Sequence, residues 1–285
     1  MSEEFIIHAR DGYPLGATRY PASGQARGHL IMAGATAVPQ AFYRRFADYA
    51  AARGYGVTTF DYRGVGRSAP ASLKDFSCDF TDWGRDLAAV VEAESMPGRQ
   101  LGLIAHSFGG HALGLLPNHH LLDGAWLFGT GSGWRGWMPA LEQLRVLMLW
   151  HVIGPLLVRR YDYLAWRRLG LGADLPQGVY RQWKRWSRFP RFFLDDPAEA
   201  GIVQNYAQVR TPIVAVNAHA DRWGSPAARD ALLSGYINAP WRAVDIDTPR
   251  LGHMDYFRPQ AMHLWADALD WFDTIASVRP PGQPA

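Results

Sequence analysis

The sequence has a single cysteine, Cys78, among 285 residues. One cysteine excludes an internal disulfide and any metal site built from several thiolates. The chain also lacks a strong charge of either sign, because its net charge is only +3. A net charge this small gives no argument for nucleic-acid binding, so we predict no nucleic-acid partner.

The sequence also lacks a long uninterrupted apolar run. The N-terminus, MSEEFIIHARDG, begins acidic and has no apolar core, so we predict no signal peptide. The longest apolar run, 146–158 (VLMLWHVIGPLLV), is shorter than the roughly 20 residues that span a bilayer, and it contains a histidine, a glycine and a proline. Together with the single thiol, these features lead us to expect a cytoplasmic protein.

What is present is ordinary for a globular protein, with 48% hydrophobic and 19% charged residues. The length suits one large domain, or one domain with an insertion. Two short strand patterns at 4–9 and 15–20, joined by Asp11-Gly12, predict an antiparallel hairpin at the edge of a sheet. Strand and helix patterns then alternate as far as a strand at 124–129, which predicts a mostly parallel sheet with helices on both faces.

The alternation stops after Gly129. The segment 133–206 has no convincing strand pattern, holds six of the twelve tryptophans and carries many arginines. Strand and helix patterns resume with a strand at 213–217. We therefore predict an α/β core formed by 1–132 and 207–278, a helical cap inserted at 133–206, and a disordered tail at 279–285.

One stretch, 101–116 (LGLIAHSFGGHALGLL), combines a buried strand pattern with a helical pattern. Between them lies Ala105-His106-Ser107-Phe108-Gly109, a serine flanked at two positions by small residues. A nucleophile elbow needs small residues there because its strand-to-helix turn is very tight. The alternative is an ordinary strand–turn–helix in which Ser107 caps the helix.

A serine nucleophile needs a base to accept its proton and a third group to hold that base. Asp221 follows the apolar strand pattern IVAVNA, and His253 lies in a loop before the last helix, so the order serine, acid, histidine is present. Both follow the end of a strand, where open α/β sheets place their sites. Asp245, Asp247 and Asp255 are rival acids, with Asp255 the second choice.

At this point the chain resembles the α/β-hydrolase-fold superfamily, near the branch that includes monoacylglycerol lipases and serine aminopeptidase-like hydrolases. The residues that carry the resemblance are DYRGVGRS (61–68), AHSFGG (105–110), Asp221 followed by Pro226, and GHMDYF (252–257). The resemblance implies that Ser107 is the nucleophile, Asp221 the orienting acid and His253 the general base. The chain departs from many relatives in having Ala105 where they have glycine.

An oxyanion hole needs two backbone N–H groups aimed at the developing negative charge. We predict Phe108 as one donor and Ala35, in the loop after the first parallel strand, as the other, with Thr36 as the second choice. No HGGG-type motif occurs in that loop. The predicted substrate-binding residues are Thr36, Trp134, Trp137 and Met254.

Three other motifs are interpreted as structural. The sequence 64–69 fits GxGxxA, but Pro70 follows where a phosphate-binding helix should open, so we predict a turn there. His106 is interpreted as a packed neighbour of the nucleophile, and His119-His120 as a solvated loop rather than a metal pair. We predict no metal and no cofactor.

The sequence therefore predicts a capped serine hydrolase that cleaves a carboxylic ester or thioester with an apolar acyl group through an acyl-Ser107 intermediate. The same triad could transfer the acyl group to another acceptor or cleave a carbon–carbon bond. A non-catalytic scaffold with a Trp- and Arg-rich binding cap is a third possibility. The expected partner is a small-molecule ester or thioester. The run at 146–158 either packs on the core or contacts a membrane surface, and the sequence does not indicate an oligomeric state.

Overall fold

The computed structural model describes residues 2–278, so the predicted tail 279–285 lies outside the described residues. Its centre is an eight-stranded sheet with strand order β1-β2-β4-β3-β5-β6-β7-β8. The strands are β1 (Glu3–His8), β2 (Pro14–Tyr20), β3 (Gly28–Ala33), β4 (Tyr55–Phe60), β5 (Leu101–His106), β6 (Gly124–Phe128), β7 (Ile213–Ala218) and β8 (Trp241–Ile246). The first two pairings, β1–β2 and β2–β4, are antiparallel, and the other five are parallel. The predicted edge hairpin and mostly parallel sheet are confirmed.

Strands β3 to β7 are buried along their whole length because helices cover both faces of the sheet. On one face, α1 packs against α9 in an aromatic core that includes Phe46 and Trp265. On the other face, α2, α3 and α8 belong to a second core. These helices are α1 (Arg44–Ala52), α2 (Phe80–Glu94), α3 (Phe108–Leu113), α8 (Pro226–Leu233) and α9 (Met262–Val278).

The start of α2 is fixed by a side-chain cap. The N-cap is Asp79, whose carboxylate accepts hydrogen bonds from the backbone N–H groups of Thr81 and Asp82. The Asp82 carboxylate in turn accepts one from the Asp79 N–H, which completes a capping box. The extended backbone of Asp79 places its carboxylate over these first helical N–H groups.

Between β6 and β7 the chain forms helices and turns, with one isolated bridge between Leu164 and Leu175 as its only extended pairing within the described residues. The helices are α4 (Ala140–Met148), α5 (Gly154–Tyr161), α6 (Gln177–Trp186) and α7 (Ala200–Gln208). A π-helical turn, Leu149–Ile153, joins α4 to α5 without a break.

The resulting continuous helix, Ala140–Tyr161, is called here the long cap helix. It has 22 residues and a mean hydropathy of 1.3 over its most apolar window, so by length and composition it could cross a membrane. The expectation that this region is too short to span a bilayer was wrong. It considered only 146–158, whereas the helix starts six residues earlier and ends three residues later.

Candidate active site

Ser107 lies in the sharp turn between β5 and α3. Its backbone has φ 52° and ψ −110°, a conformation that residues with a side chain rarely adopt. The turn also brings Gly109 against β3, where a Cβ atom would lie 2.2 Å from the carbonyl oxygen of Ala33. Only glycine fits at that position, and the strained backbone directs the Ser107 hydroxyl away from the strand.

The three residues predicted as a triad meet at the carboxyl edge of the sheet. The Ser107 Oγ lies 2.9 Å from His253 Nε2, and His253 Nδ1 lies 2.9 and 3.0 Å from the two carboxylate oxygens of Asp221. Because a carboxylate can only accept, Nδ1 carries the ring proton and Nε2 presents its lone pair to the serine hydroxyl. This arrangement can remove a proton from Ser107.

The Asp221 side chain is fully buried, and its charge is supported from several directions. Besides His253, its carboxylate accepts hydrogen bonds from the backbone N–H groups of Trp223 and Gly224 and from the Tyr256 hydroxyl. Burial by itself raises the pKa of Asp221, but the charge and hydrogen bond of His253 and the two backbone N–H groups outweigh burial. The pKa therefore lies below its ordinary value, and the carboxylate stays ionised beside the imidazole.

The rival acids lie elsewhere. Asp255 accepts a hydrogen bond from the Gly252 N–H at 2.9 Å and so closes the loop that carries His253. Asp245 forms an ion pair with Arg229, and Asp247 is exposed after β8. The residue that sequence reasoning missed is Tyr256, whose hydroxyl also accepts a hydrogen bond from the Ala218 N–H and so ties the end of β7 to the acid.

The predicted oxyanion donor Ala35 needs correction. Its N–H donates to the Tyr43 hydroxyl at 2.7 Å and is therefore already engaged. The N–H of Thr36, the second choice, makes no hydrogen bond within the described residues, and Thr36 lines the pocket beside Ser107. Phe108 is the first residue of α3, so its N–H has no partner within the helix. Thr36 and Phe108 are thus the available donors.

Tyr43 and His106 link two loops. One follows β3 and is called here the oxyanion loop because it carries Ala35 and Thr36, and the other carries the base His253. The His106 Nε2–H donates to the backbone carbonyl of His253 at 2.8 Å, since a carbonyl only accepts. The Nδ1 atom of the same ring then accepts from the Tyr43 hydroxyl at 2.9 Å, and that oxygen accepts the Ala35 N–H. Burial lowers the pKa of His106 to about 3, so the ring is neutral. Both of its nitrogens are engaged, by Tyr43 and by His253, so neither forms a hydrogen bond with Ser107.

A pocket of about 1090 Å³ opens beside Ser107 and is mostly apolar. The core contributes Phe108 and His253, and the segment between β6 and β7 contributes much of the wall. The large apolar residues that this segment contributes include Val146, Leu149, Ile153, Trp166 and Trp183, and Trp223 joins them from the loop after β7. The pocket volume is sufficient for a sizeable apolar group.

Of the four predicted substrate-binding residues, Thr36 and Met254 line this pocket, and the other two do not. Trp134 and Trp137 pack against each other, with ring centroids 5.2 Å apart, and the Trp137 indole N–H donates to the Pro190 carbonyl. The structure thus places Trp134 and Trp137 outside this pocket, against the prediction. Trp183, which lies almost 50 residues further along the chain, forms part of the wall instead.

The remaining motifs have structural roles. The turn 61–68 is held by the buried Asp61 carboxylate, which accepts hydrogen bonds from the Gln40 side chain and from the backbone N–H groups of Gln40 and Arg67. No helix opens at Pro70, as a nucleotide site would require, because α2 starts only at Phe80. Among residues 2–278, no group of three or more histidine, cysteine or acidic side chains could hold a metal ion.

The sequence model of the alpha/beta hydrolase family matches residues 30–263. No curated protein sequence matches the chain. Three similar solved structures are a soluble variant of monoglyceride lipase from Saccharomyces cerevisiae with a substrate analog (TM-score 0.68, 14% identity, covering 96% of this chain and 94% of that one), the alpha/beta hydrolase GrgF from Penicillium sp. sh18 (0.65, 16%, 97% and 99%) and the esterase EaEST from Exiguobacterium antarcticum (0.62, 14%, 95% and 99%). At these identities the likeness shows the fold, and the family match supports hydrolase activity in general. The chain belongs to the alpha/beta hydrolase family.

Proposed function

We propose that the protein is a serine hydrolase that cleaves a carboxylic ester or thioester through an acyl-Ser107 intermediate. The observation that carries the proposal is the unbroken set of contacts from Ser107 through His253 to the buried Asp221. His253 Nε2 takes the proton as Ser107 Oγ attacks the acyl carbon. Asp221 holds the ring with its proton on Nδ1 and stabilises the imidazolium that forms.

The attack places a negative charge on the former carbonyl oxygen. In this proposal the N–H groups of Phe108 and Thr36 donate to that oxygen, at the N-terminus of α3, where the helix dipole also favours a negative charge. His253 then gives its proton to the leaving oxygen or sulfur, and the acyl group stays on Ser107. Water, deprotonated by the same imidazole, releases the acid and restores the serine.

The pocket favours an apolar acyl group. Its wall is formed largely by aliphatic and tryptophan side chains, and a large apolar acyl chain would be removed from water there. The lipase and the esterase among the similar structures are consistent with this substrate class. A non-catalytic scaffold would not need this arrangement. The strained backbone of Ser107 lowers the stability of the fold, and a scaffold gains no activity from it.

The test is hydrolysis of p-nitrophenyl esters of increasing acyl length by the purified protein and by Ser107→Ala. We expect activity with acyl chains longer than acetate and a loss of roughly 10⁶ in kcat for Ser107→Ala, the size seen when a serine protease loses its nucleophile. The matched control is Ser72→Ala, at an exposed position outside the pocket, which should keep full activity. A folded Ser107→Ala protein that keeps most of its activity would refute the proposal.

A further inference from the structure

The long cap helix exposes a continuous apolar face. Five of its side chains, each between 42% and 63% exposed, recur every three or four residues: Leu141, Leu144, Met148, Val152 and Leu156. No acidic side chain interrupts this face, because the one carboxylate of the helix, Glu142, is only 12% exposed and pairs with Arg145 and Arg222. Contiguous apolar faces of this kind are uncommon on monomeric soluble proteins and mark an interaction surface.

The apolar face leads into the mouth of the pocket. Leu144 and Met148 are exposed to solvent and also line the pocket that contains Ser107. Leu171, 56% exposed, lines the same pocket from the following segment. A hydrophobic layer that covers this face would therefore be continuous with the pocket interior.

A basic groove of about 560 Å³ adjoins the C-terminal end of the same helix, between α5 and α6. Its charged lining residues are Arg159, Arg181, Lys184, Arg185, Arg188 and Asp162. Arg159 lies three residues after Leu156, so on a helix the two side chains are neighbours and the groove continues the apolar face.

The groove carries more positive than negative charge, because its five cations face one lining carboxylate, Asp162, and Asp196 beside Arg185. Arg185 is paired with Asp196, and Asp162 is engaged by the Asp75 N–H and by Gln177. Within residues 2–278, the other four cations form no ion pair with a carboxylate. Burial, and then the charge of Arg188, lower the pKa of Lys184, which agrees with crowding of like charges. Bound anions would relieve this repulsion.

We propose that this side of the cap binds an anionic phospholipid surface, with headgroup phosphates in the basic groove and the apolar face of the long cap helix among the acyl chains. An apolar face bordered by cations is complementary to such a surface in both its layers. Binding itself does not rest on the proposed hydrolysis. The consequence for function does, because the pocket mouth would then open toward the source of an apolar substrate.

The helix lies on the surface rather than crossing it. Its opposite face is buried in the protein, where Trp150 and Gly154 pack against Tyr180, whose hydroxyl donates to the Trp150 carbonyl at 3.1 Å. Only 22% of its most apolar window is buried, so the exposed side is the one available to lipid. A spanning helix would have to give up its packed side and part of the pocket wall.

The test is sedimentation of the full chain with vesicles, using Ser107→Ala so that no lipid is cleaved. Vesicles of phosphatidylcholine alone are compared with an equal mixture of phosphatidylcholine and phosphatidylglycerol, each at low and high salt. We expect binding to the mixed vesicles at low salt, weakened by salt, and little binding to neutral vesicles.

Two double variants test the basic groove and the apolar face separately. Arg181→Glu with Lys184→Glu should lower the partition coefficient for mixed vesicles at least about tenfold, since each cation near an anionic surface contributes severalfold. Leu141→Ser with Leu156→Ser removes apolar side chains outside the pocket lining and should also weaken binding. The charge-matched control, Arg210→Glu with Arg242→Glu, reverses exposed charges near the amino ends of β7 and β8 and should bind as the parent does. Thermal unfolding establishes that each variant is folded.

Several results would overturn the proposal. They are no binding to mixed vesicles, equal binding to neutral ones, or an equal loss in the control variant. The protein could also fail to bind vesicles and instead form dimers. If Leu141→Ser with Leu156→Ser abolished those dimers, the apolar face would be assigned to a second copy of the chain. None of these outcomes depends on whether Ser107 is a nucleophile, so this proposal and the catalytic one fail separately.

Discussion

At the scale of single residues, Asp221 and Asp255 offer a direct comparison of two carboxylates near one histidine. Asp221→Asn should lower kcat by roughly 10⁴, as the equivalent change does in a serine protease, because the amide no longer holds the required tautomer. Asp255→Asn keeps an amide oxygen that can accept the Gly252 N–H and should cost less than about tenfold. Steady-state kinetics on a p-nitrophenyl ester measures both, and the reverse ranking would move the acid to Asp255.

Tyr43 provides a second residue-scale prediction. Tyr43→Phe leaves the Ala35 N–H and His106 Nδ1 without partners in the interior, at a cost of about 1–3 kcal/mol for each unsatisfied group. Because those groups fix the oxyanion loop and the His253 loop, we expect kcat to fall while KM changes little. Denaturant unfolding and steady-state kinetics give the two readouts.

The matched control for Tyr43 is Tyr62→Phe. The Tyr62 hydroxyl is buried and has no hydrogen-bond partner among residues 2–278, and its ring stacks on Trp83. The same loss of a hydroxyl should therefore leave stability unchanged or raise it, and leave kcat unchanged. Equal effects of the two substitutions would show that Tyr43 acts only by filling space.

At the scale of elements, α6 is predicted to set acyl-chain selectivity through Trp183. Trp183→Phe enlarges the pocket and should shift the preference among p-nitrophenyl esters toward longer chains, by up to about tenfold in the ratio of kcat/KM values. Trp137→Phe is the control, because Trp137 lies outside the pocket lining. A change in selectivity with Trp137→Phe but not with Trp183→Phe would contradict the placement of the pocket wall.

The elements that sequence reasoning predicted share a strong local signal. The strand and turn at Ser107 could be predicted because a buried strand, a tight turn and a helix each need particular residue types within a few positions. The interruption of strand–helix alternation likewise predicted helices between β6 and β7. The spatial meeting of Ser107, Asp221 and His253 could be expected because all three follow strand ends at one edge of a parallel sheet.

The features that could not be predicted depend on contacts distant in sequence or on competition between neighbours. The loop sequence does not show that the Ala35 N–H donates to the Tyr43 hydroxyl. That hydrogen bond forms only because the residues just before α1 fold back over the loop. Which tryptophans face the pocket depends on how the cap packs. The start of α2 depends on the reciprocal contact between Asp79 and Asp82, which stabilises the first turn of the helix.

At the scale of the whole molecule, stability should fall as the pH is lowered from about 6.5 toward 4. Burial lowers the pKa of His106 to about 3, and those of His29 and His111 to about 4. Below pH 6.5 the unfolded chain binds protons that the folded chain does not, so folding loses about 1.4 kcal/mol per such proton for each pH unit. Asp86 and Asp61 oppose this trend, because burial raises the pKa of both carboxyls, that of Asp86 to about 6.

Three histidines outweigh those two carboxyls, so urea unfolding should give a free energy at least about 2 kcal/mol smaller at pH 5 than at pH 7. A stability that is flat or rises over this interval would show that these histidines are not held neutral in the folded chain. The cytoplasmic location expected from the sequence stays a prediction. At the near-neutral pH of that compartment, all three neutral rings would contribute fully to the stability of the fold.

The most direct test of the central claim, that Ser107 is an activated nucleophile, is labelling with a fluorophosphonate followed by peptide mass spectrometry. The arrangement of Ser107, His253 and Asp221 predicts one label per chain, located on Ser107. Labelling should be absent in Ser107→Ala and greatly slowed in His253→Ala, because the hydroxyl then keeps its proton. A label on another residue, or no label on the folded wild-type chain, would contradict the account.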